Sequence, residues 1–204
     1  MYQPFAIGSR FRIVPPDTPP ATNGRIDLVI AKGAFGSGEH ETTASCLEAL
    51  EELPEVDGAS VLDLGSGTGI LALAALKLGA SRALCIDISP DAVKTCRRNG
   101  ELNGLAGRLR HHTGSLDSLP AQETFDLVLA NIYGDLLVDL ADDLVARVAP
   151  GGLMLLSGML WEYNYEVRKL YEERDCAVVK NRMLEEFSTV LLRKNGQPQG
   201  AARR

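Results

Sequence analysis

Three glycines that alternate along one short segment are the residues of this sequence best suited to chemistry. Gly65, Gly67 and Gly69 lie in VLDLGSGTGILAL, residues 61–73, where an apolar run typical of a buried strand leads directly into a helical pattern. Glycine lets the backbone approach a ligand closely, and the first turn of a helix presents free N–H groups. The segment therefore predicts a tight ligand-binding turn between a strand and a helix.

Three kinds of glycine-rich site compete for this pattern, and the spacing of the residues separates them. A phosphate-binding P-loop ends in Gly-Lys-Ser/Thr, which neither GSGTGILA nor the upstream GAFGSGEHE contains. The dinucleotide fingerprint G-x-G-x-x-G needs a glycine where the chain has Ile70, so a nicotinamide cofactor is disfavoured but stays open. The observed G-x-G-x-G after an acidic strand resembles the first motif of class I S-adenosylmethionine-dependent methyltransferases.

Two carboxylates accompany the glycines. Asp63 lies two places before Gly65, and Asp87 lies 22 places after it, at the end of the next predicted strand. An ionised carboxylate has two acceptor oxygens, so Asp87 is suited to bind both hydroxyls of a ribose. In the alternative interpretation, the glycines only form a turn and Asp87 only caps the helix that begins near Pro90.

Hydrophobic periodicity indicates the elements that position these residues. After residue 58, short apolar runs alternate with helical patterns, which is typical of a mostly parallel, doubly wound α/β sheet with helices on both faces. We predict central strands over 60–64, 82–88, 125–130 and 153–157, a weaker strand over 108–112, and a late hairpin, 176–179 with 187–192, that supplies an antiparallel strand. We predict helices over 70–78, 90–102, 133–148 and 162–174, the third of them ended by Pro150-Gly151-Gly152.

The first 57 residues differ from this alternation. Strand patterns over 10–14 and 26–30 flank the turn-rich PPDTPPATNG, and a helix is expected over 41–53. We therefore predict one compact domain with three parts: an N-terminal extension (1–57, a hairpin and a helix) packed on the core, a cofactor-binding catalytic core (58–194) and a flexible tail (195–204).

Composition excludes several classes of function. The 204 residues are 45% apolar and 24% charged, with a net charge of −6 and no basic cluster, so a nucleic acid is not an expected partner. No apolar stretch approaches the ~18 residues that span a bilayer, and the N-terminus has no signal-peptide pattern, so we expect no membrane partner and a cytoplasmic location. The four cysteines lack CxxC spacing, and the three histidines suggest no ligand set, so we expect buried reduced thiols and no metal.

Five segments occur in an order that extends the resemblance. They are AFGSGEHETTASCLEAL (34–50), VLDLGSGTGILALAALKLGA (61–80), CIDISPDAV (85–93), LVLANI (127–132) and PGGLMLLSGML (150–160). Together they resemble the catalytic domain of the ribosomal protein L11 methyltransferase family, PrmA, and RIVPP (12–16) resembles the segment before that domain. The resemblance covers about residues 10–175, and its Phe-Gly-x-Gly-x-His-x-Thr-Thr element is more specific than the glycine turn alone.

The resemblance implies S-adenosylmethionine as the cofactor. His40 shares the N-terminal element with three of the residues below, and Ser115 and Leu116 are expected near the adenine. The predicted cofactor-binding residues are Phe35, Thr42, Thr43, Asp63, Gly65, Gly67, Gly69, Asp87, Ile88, Ser115, Leu116 and Asn131. In the alternative interpretation, the two threonines cap the helix that they open and Ser115 caps a short turn.

Asn131 is also the predicted catalytic residue. It ends the fourth strand, where carboxyl ends of parallel strands line a cleft, and its amide oxygen can accept a hydrogen bond from an attacking amine. Methyl transfer to nitrogen is a direct displacement at a sulfonium, so alignment of the amine suffices without a metal or a covalent nucleophile. The alternative is that Asn131 is a turn residue.

The expected function is therefore a protein N-methyltransferase acting on lysine or α-amino groups, with a ribosomal protein as the candidate substrate. Members of the resembled family usually carry a separate N-terminal domain that grips the ribosomal protein, whereas about 33 residues precede Ala34 here. Tyr133 and Trp161 depart from the family pattern, and they either line the acceptor pocket or pack half-buried. Alternatives are a methyltransferase for another protein, such as an electron-transfer flavoprotein subunit, or for a small molecule, and a non-catalytic cofactor-binding subunit.

Overall fold

The computed structural model describes residues 2–31 and 38–196. The strands are β1 (Phe5–Ile7), β2 (Phe11–Val14), β3 (Ile26–Val29), β4 (Ser60–Leu64), β5 (Arg82–Asp87), β6 (Leu109–Thr113), β7 (Phe125–Asn131), β8 (Val148–Leu160), β9 (Cys176–Met183) and β10 (Phe187–Lys194). The α-helices are α1 (Glu41–Glu51), α2 (Ile70–Lys77), α3 (Pro90–Leu102), α4 (Gly134–Asp139), α5 (Ala141–Arg147) and α6 (Trp161–Glu172).

Seven strands form the central sheet, in the order β6-β5-β4-β7-β8-β10-β9. The first five are parallel, and β10 runs antiparallel to both β8 and β9. The predicted doubly wound sheet with a late antiparallel strand is therefore confirmed. The strand order reverses between β4 and β7, and ligands of open α/β sheets bind at such a switch point, outside the carboxyl ends of the strands.

Two apolar cores lie on opposite faces of this sheet. One contains Leu47 of α1, Leu73 of α2 and Cys96 of α3. The other contains Leu137 of α4 and Leu144 of α5, together with side chains of α6. In α2, every residue from Ile70 to Leu76 is buried, because the N-terminal strands cover the side of the helix that faces away from the sheet.

The N-terminal strands form a separate three-stranded sheet in the order β1-β2-β3. The strands on either side of PPDTPPATNG pair in parallel, so the predicted hairpin is wrong for them, and the antiparallel pair is β1 with β2. Parallel pairing needs a long connection, and residues 15–25 supply it. Arg12 and Asp27 stand opposite each other in this register, and Arg12 Nε donates to Asp27 Oδ1 over 2.6 Å.

The helix predicted over 133–148 is two helices. The backbone leaves the helical path at Leu140, with φ −94° and ψ 10°, which lets α4 and α5 each bury a face in the same core. The predicted stop at Pro150-Gly151-Gly152 lies inside β8, where the register moves from Phe125↔Val148 to Leu127↔Leu153. The chain accommodates the proline, which cannot donate a ladder hydrogen bond, as an irregularity in the strand and not as a loop.

No helix within residues 2–31 and 38–196 combines the length and apolar character that crossing a membrane requires.

Candidate functional site

A cleft lies at the carboxyl ends of the central parallel strands, where the topology predicts a ligand site. Its lining residues are Thr43, Asp63, Gly65, Ser66, Gly67, Ile70, Leu71, Asp87 and Asn131. The structure thus brings together six of the predicted residues, which come from α1, β4, the glycine turn, β5 and β7.

The glycine turn has a backbone that only glycine adopts without strain. Gly65, Gly67 and Gly69 have φ values of 67°, 53° and 79°, all in the left-handed region. Gly69 N donates to Ser66 O over 2.7 Å and closes the turn directly before α2. An ideal Cβ on Gly69 would lie 2.4 Å from Cys96 Sγ, so any side chain there would also collide with α3.

Asp87 shapes the turn through both of its carboxylate oxygens. Oδ2 accepts from Gly67 N over 2.9 Å, and Oδ1 accepts from Ser89 N, also over 2.9 Å. Ser89 is itself the N-cap of α3, because its hydroxyl accepts from Ala92 N over 3.3 Å. The carboxylate therefore organises the site, and each oxygen keeps a lone pair for a second donor.

Asp63 is a buried acid below the turn, with 2% of its surface exposed. Its Oδ2 accepts from Ala72 N in the first turn of α2 over 3.1 Å. Burial raises the pKa of Asp63 to about 8, and the negative charges of Cys96 and Asp87 add to the rise. Among the ion pairs of the described residues, none includes Asp63, so this acid lines the cleft without a cationic partner.

Asn131 is positioned by α1 and β8. Its Nδ2 donates to Oγ1 of the fully buried Thr43 over 3.4 Å, so the amide oxygen of Asn131 remains available as a hydrogen-bond acceptor. An ideal Cβ on Gly158 would lie 3.0 Å from Asn131 Oδ1 and 2.5 Å from Ile132 O, so only glycine lets β8 pass this closely. The sequence analysis missed Gly158, although a glycine inside a strand pattern signals close backbone approach.

Thr42 belongs to the cap of α1, not to the lining of the cleft. His40 is the N-cap residue, and its Nδ1 lies 2.8 Å from Thr42 Oγ1. The His40 ring also packs edge-on against Phe187, with 4.9 Å between ring centroids. The predicted role of Phe35 lies outside the described residues.

The loop after β6 adjoins Asp87, because Gly114 N donates to Asp87 O over 3.0 Å. Ser115 is exposed, and its hydroxyl donates to Asp117. Leu116 is buried in the core, and Ile88 is exposed beside Asp87. The proposed contacts of these three residues with the cofactor stay predictions.

Two further polar residues that the sequence analysis missed hold the site together. The buried Arg147 donates to backbone carbonyls of the loop after β6, including Leu116 O over 2.9 Å. Asn99 of α3, also buried, donates to Thr68 O of the glycine turn and accepts from Ala31 N, both over 2.9 Å. An asparagine inside a helical pattern is a usable signal, because its side chain competes for backbone groups.

All four cysteines are free thiols and are buried, as predicted. The structure nevertheless places Cys85, Cys96 and His111 around one point. Sequence spacing gave no sign of this cluster, because the three residues belong to β5, α3 and β6.

A groove lined by both apolar and acidic side chains lies beyond the carboxyl end of β8. Leu160, Trp161, Glu162, Glu185 and Glu186 line it. The exposed fraction of Tyr133 is 73%, so its side chain lies mostly in solvent, whereas that of Trp161 is 52%, so about half of its surface is covered, and its Nε1 donates to Leu184 O over 3.3 Å. Their role at an acceptor pocket stays a prediction.

Comparison with known proteins assigns the chain to a family. The family model described as "Ribosomal protein L11 methyltransferase (PrmA)" matches residues 1–195. The chain belongs to the PrmA family. The resemblance drawn from the five sequence segments is thereby confirmed.

Members of the PrmA family align with most of this chain. The ribosomal protein L11 methyltransferase of Pelobacter propionicus is 41% identical over 199 residues, covering 95% of this chain and 64% of the relative. That of Geobacter metallireducens is 46% identical over 164 residues, covering 79% and 52%. The chain thus spans between about half and two thirds of the length of these relatives.

A crystal structure of the ribosomal protein L11 methylase from Lactobacillus delbrueckii subsp. bulgaricus has the same fold. It superposes with a TM-score of 0.84 at 27% identity, covering 95% of this chain and 99% of that chain.

Proposed function

We propose that this chain transfers a methyl group from S-adenosylmethionine to an amino group of a protein, either a lysine side chain or an α-amine. One observation carries the proposal: the glycine turn, Asp87 and Asn131 line a single cleft at the switch point of the sheet. A turn that merely linked β4 to α2 would not require a carboxylate and an amide from two other strands beside it.

The chemistry of the cleft fits this cofactor. S-adenosylmethionine has a cationic sulfonium and an ammonium group, and Asp63 is a buried acid without a cation among the described residues. Removal of an acid from water disfavours its charged form, and a bound cation reverses that effect. Asp87 retains acceptor capacity for ribose hydroxyls beyond its two backbone hydrogen bonds.

When bound, the cofactor supplies an electrophilic methyl group, and the protein supplies alignment. Thr43 holds the Asn131 amide through its 3.4 Å hydrogen bond, so that the amide oxygen accepts from the N–H of a neutral amine. This contact directs the nitrogen lone pair toward the methyl carbon. Correct alignment of two reactants lowers the barrier without covalent catalysis.

The proposed substrate is a ribosomal protein of the L11 type, for which the relatives are named. The proposed location is the cytoplasm, where such a substrate is made. The experiment must distinguish this function from three others: transfer to another protein, transfer to a small molecule, and a role as a non-catalytic subunit.

The experiment measures transfer of radiolabelled methyl groups from S-adenosylmethionine to purified L11 of the source organism. We expect label in L11 with the wild-type chain and strongly reduced label with Asn131→Ala. Cofactor binding is verified separately by calorimetry. If the chain binds the cofactor but transfers no label to L11, to ribosomes or to cytoplasmic protein fractions, the enzyme proposal is wrong and a binding subunit is favoured. Label in another fraction alone would replace L11 as the substrate.

A further inference from the structure

Two thiols and an imidazole converge behind the glycine turn. Cys85 of β5 and His111 of β6 stand opposite each other in the parallel register, and Cys96 of α3 packs over them. One ligand atom from each residue, a sulfur or a ring nitrogen, lies within 4.8 Å of the other two. Both thiols are reduced and buried.

Two polar atoms at this cluster lack the partners that buried polar atoms normally have. Neither His111 Nδ1 nor Ser66 Oγ makes a hydrogen bond to an oxygen or nitrogen atom within the described part of the chain, although both atoms are buried. An unpaired buried donor or acceptor costs free energy, and a bound ion is one physical explanation of such atoms. Ser66 lies beside the Cys96 sulfur.

The ligand types in the cluster also favour a metal cation. Cysteine binds metals through its sulfur as the thiolate and histidine binds them through a ring nitrogen, so the cluster offers two sulfur ligands and one nitrogen ligand.

The ligand types and spacing fit one metal in particular. Zinc bonds thiolate sulfur at about 2.3 Å and imidazole nitrogen at about 2.0–2.1 Å, which sets tetrahedral ligand atoms roughly 3.5–3.8 Å apart. Ligand atoms within 4.8 Å of one another reach that spacing through shifts of about 1 Å or less. Two sulfur ligands and one nitrogen ligand are a set typical of zinc.

We propose that Cys85, Cys96 and His111 bind one zinc ion, with Ser66 Oγ as the fourth ligand. Binding releases the thiol protons of the two cysteines to the solvent, because zinc coordinates thiolates. The ion joins α3 to β5 and β6 directly behind Gly69, whose ideal Cβ position lies 2.4 Å from Cys96 Sγ. Its role is to fix the glycine turn, and it takes no part in methyl transfer.

The test uses the full chain, reduced, stripped of metal by a chelator and kept free of oxygen. Cobalt(II) is the spectroscopic probe, because thiolate ligands produce a charge-transfer band and tetrahedral geometry produces intense visible bands. We expect one equivalent of cobalt, displaced by one equivalent of zinc. We also expect zinc at a hundredfold excess over its Kd to raise the Tm by roughly 5–10 °C.

Substitutions identify the ligands. Cys85→Ala and Cys96→Ala should each lose the charge-transfer band, and His111→Gln should weaken cobalt binding at least tenfold. Cys176→Ala is the matched control, since Cys176 is a buried thiol in the opposite core, and it should bind cobalt like the wild type. His111→Gln keeps the test decisive if a cysteine variant fails to fold, because His111 lies on an edge strand and is only half-buried.

Three results would overturn the proposal: a wild-type chain without the cobalt bands, bands of equal intensity in His111→Gln, or bands lost in Cys176→Ala. A Cys85–Cys96 disulfide found by mass spectrometry after air exposure, in a chain that binds no metal when reduced, would identify the cluster as a redox pair instead.

Discussion

Replacing Asp87 with asparagine separates its structural role from its role toward the cofactor. The wild-type carboxylate accepts from Gly67 N and Ser89 N through different oxygens, each over 2.9 Å. Asparagine has the same shape but only one acceptor oxygen. One of the two N–H groups therefore faces an NH₂ group, and the other keeps a partner without charge.

The magnitude follows from these two hydrogen bonds. A hydrogen bond to a charged group contributes about 1.5–3 kcal/mol. Because Asp87 is half-buried and water partly replaces the lost acceptor, we expect Asp87→Asn to lower the free energy of unfolding by about 2 kcal/mol. For a chain of this size that loss lowers the Tm by roughly 4–8 °C. If the carboxylate also accepts from ribose, loss of one such bond raises the Kd of S-adenosylmethionine roughly 10- to 150-fold.

Calorimetry measures both quantities, by thermal scan and by titration. Asp126→Asn is the matched control, because Asp126 Oδ2 accepts from Ser60 N and Ser60 Oγ over 2.8 and 2.7 Å, outside the cleft lining. It should lower the Tm less than Asp87→Asn does, because one amide oxygen still accepts both hydrogen bonds, and it should leave the Kd unchanged. A Tm of Asp87→Asn within about 1 °C of wild type would refute the structural reasoning, and an unchanged Kd in a folded variant would refute the ribose assignment.

Three other substitutions test the site. Asn131→Ala should lower the single-turnover rate of methyl transfer at least about a hundredfold, with a change in cofactor Kd of less than about threefold; equal losses would make Asn131 a cofactor contact. Gly69→Ala should lower the Tm by roughly 4–10 °C, because its φ of 79° is left-handed and the methyl group meets Cys96 Sγ; an unchanged calorimetric Tm contradicts this. Burial raises the pKa of Asp63 from 3.8 to about 8, so the folded chain binds more protons than the unfolded chain between these values. The free energy of unfolding should therefore fall by about 1 kcal/mol per pH unit as pH rises from about 5 to 8, and an equal slope for Asp63→Asn in urea titrations would disprove it.

Local patterns were sufficient to predict the central sheet and most of the cleft. The spacing of the glycines at 65, 67 and 69 is sufficient to predict the turn, because a left-handed backbone conformation is a local property of each residue. Asp87 and Asn131 follow from topology, since parallel strands place their carboxyl ends at one edge of the sheet.

Features that depend on distant contacts were not predictable in this way. The parallel pairing of β2 with β3 depends on how residues 15–25 cross over, and nothing in their composition distinguishes a crossover from a hairpin. The break at Leu140 depends on packing against the sheet, not on a glycine or proline. Arg147 has the pattern of an exposed arginine in the last turn of a helix, yet it is buried under backbone carbonyls from a loop.

The contacts of Asn99 have a consequence for shortening the chain. Asn99 links the segment after β3 to the glycine turn, and Asn103 pairs with both the N–H and the carbonyl of Val29. Residues before α1 thereby complete the wall that encloses α2. A fragment that begins at β4 would contain every glycine of the motif and would still expose an almost entirely apolar helix to water. The smallest unit that folds is therefore larger than the smallest unit that carries the motif, and engineering of this site must retain its N-terminal cover.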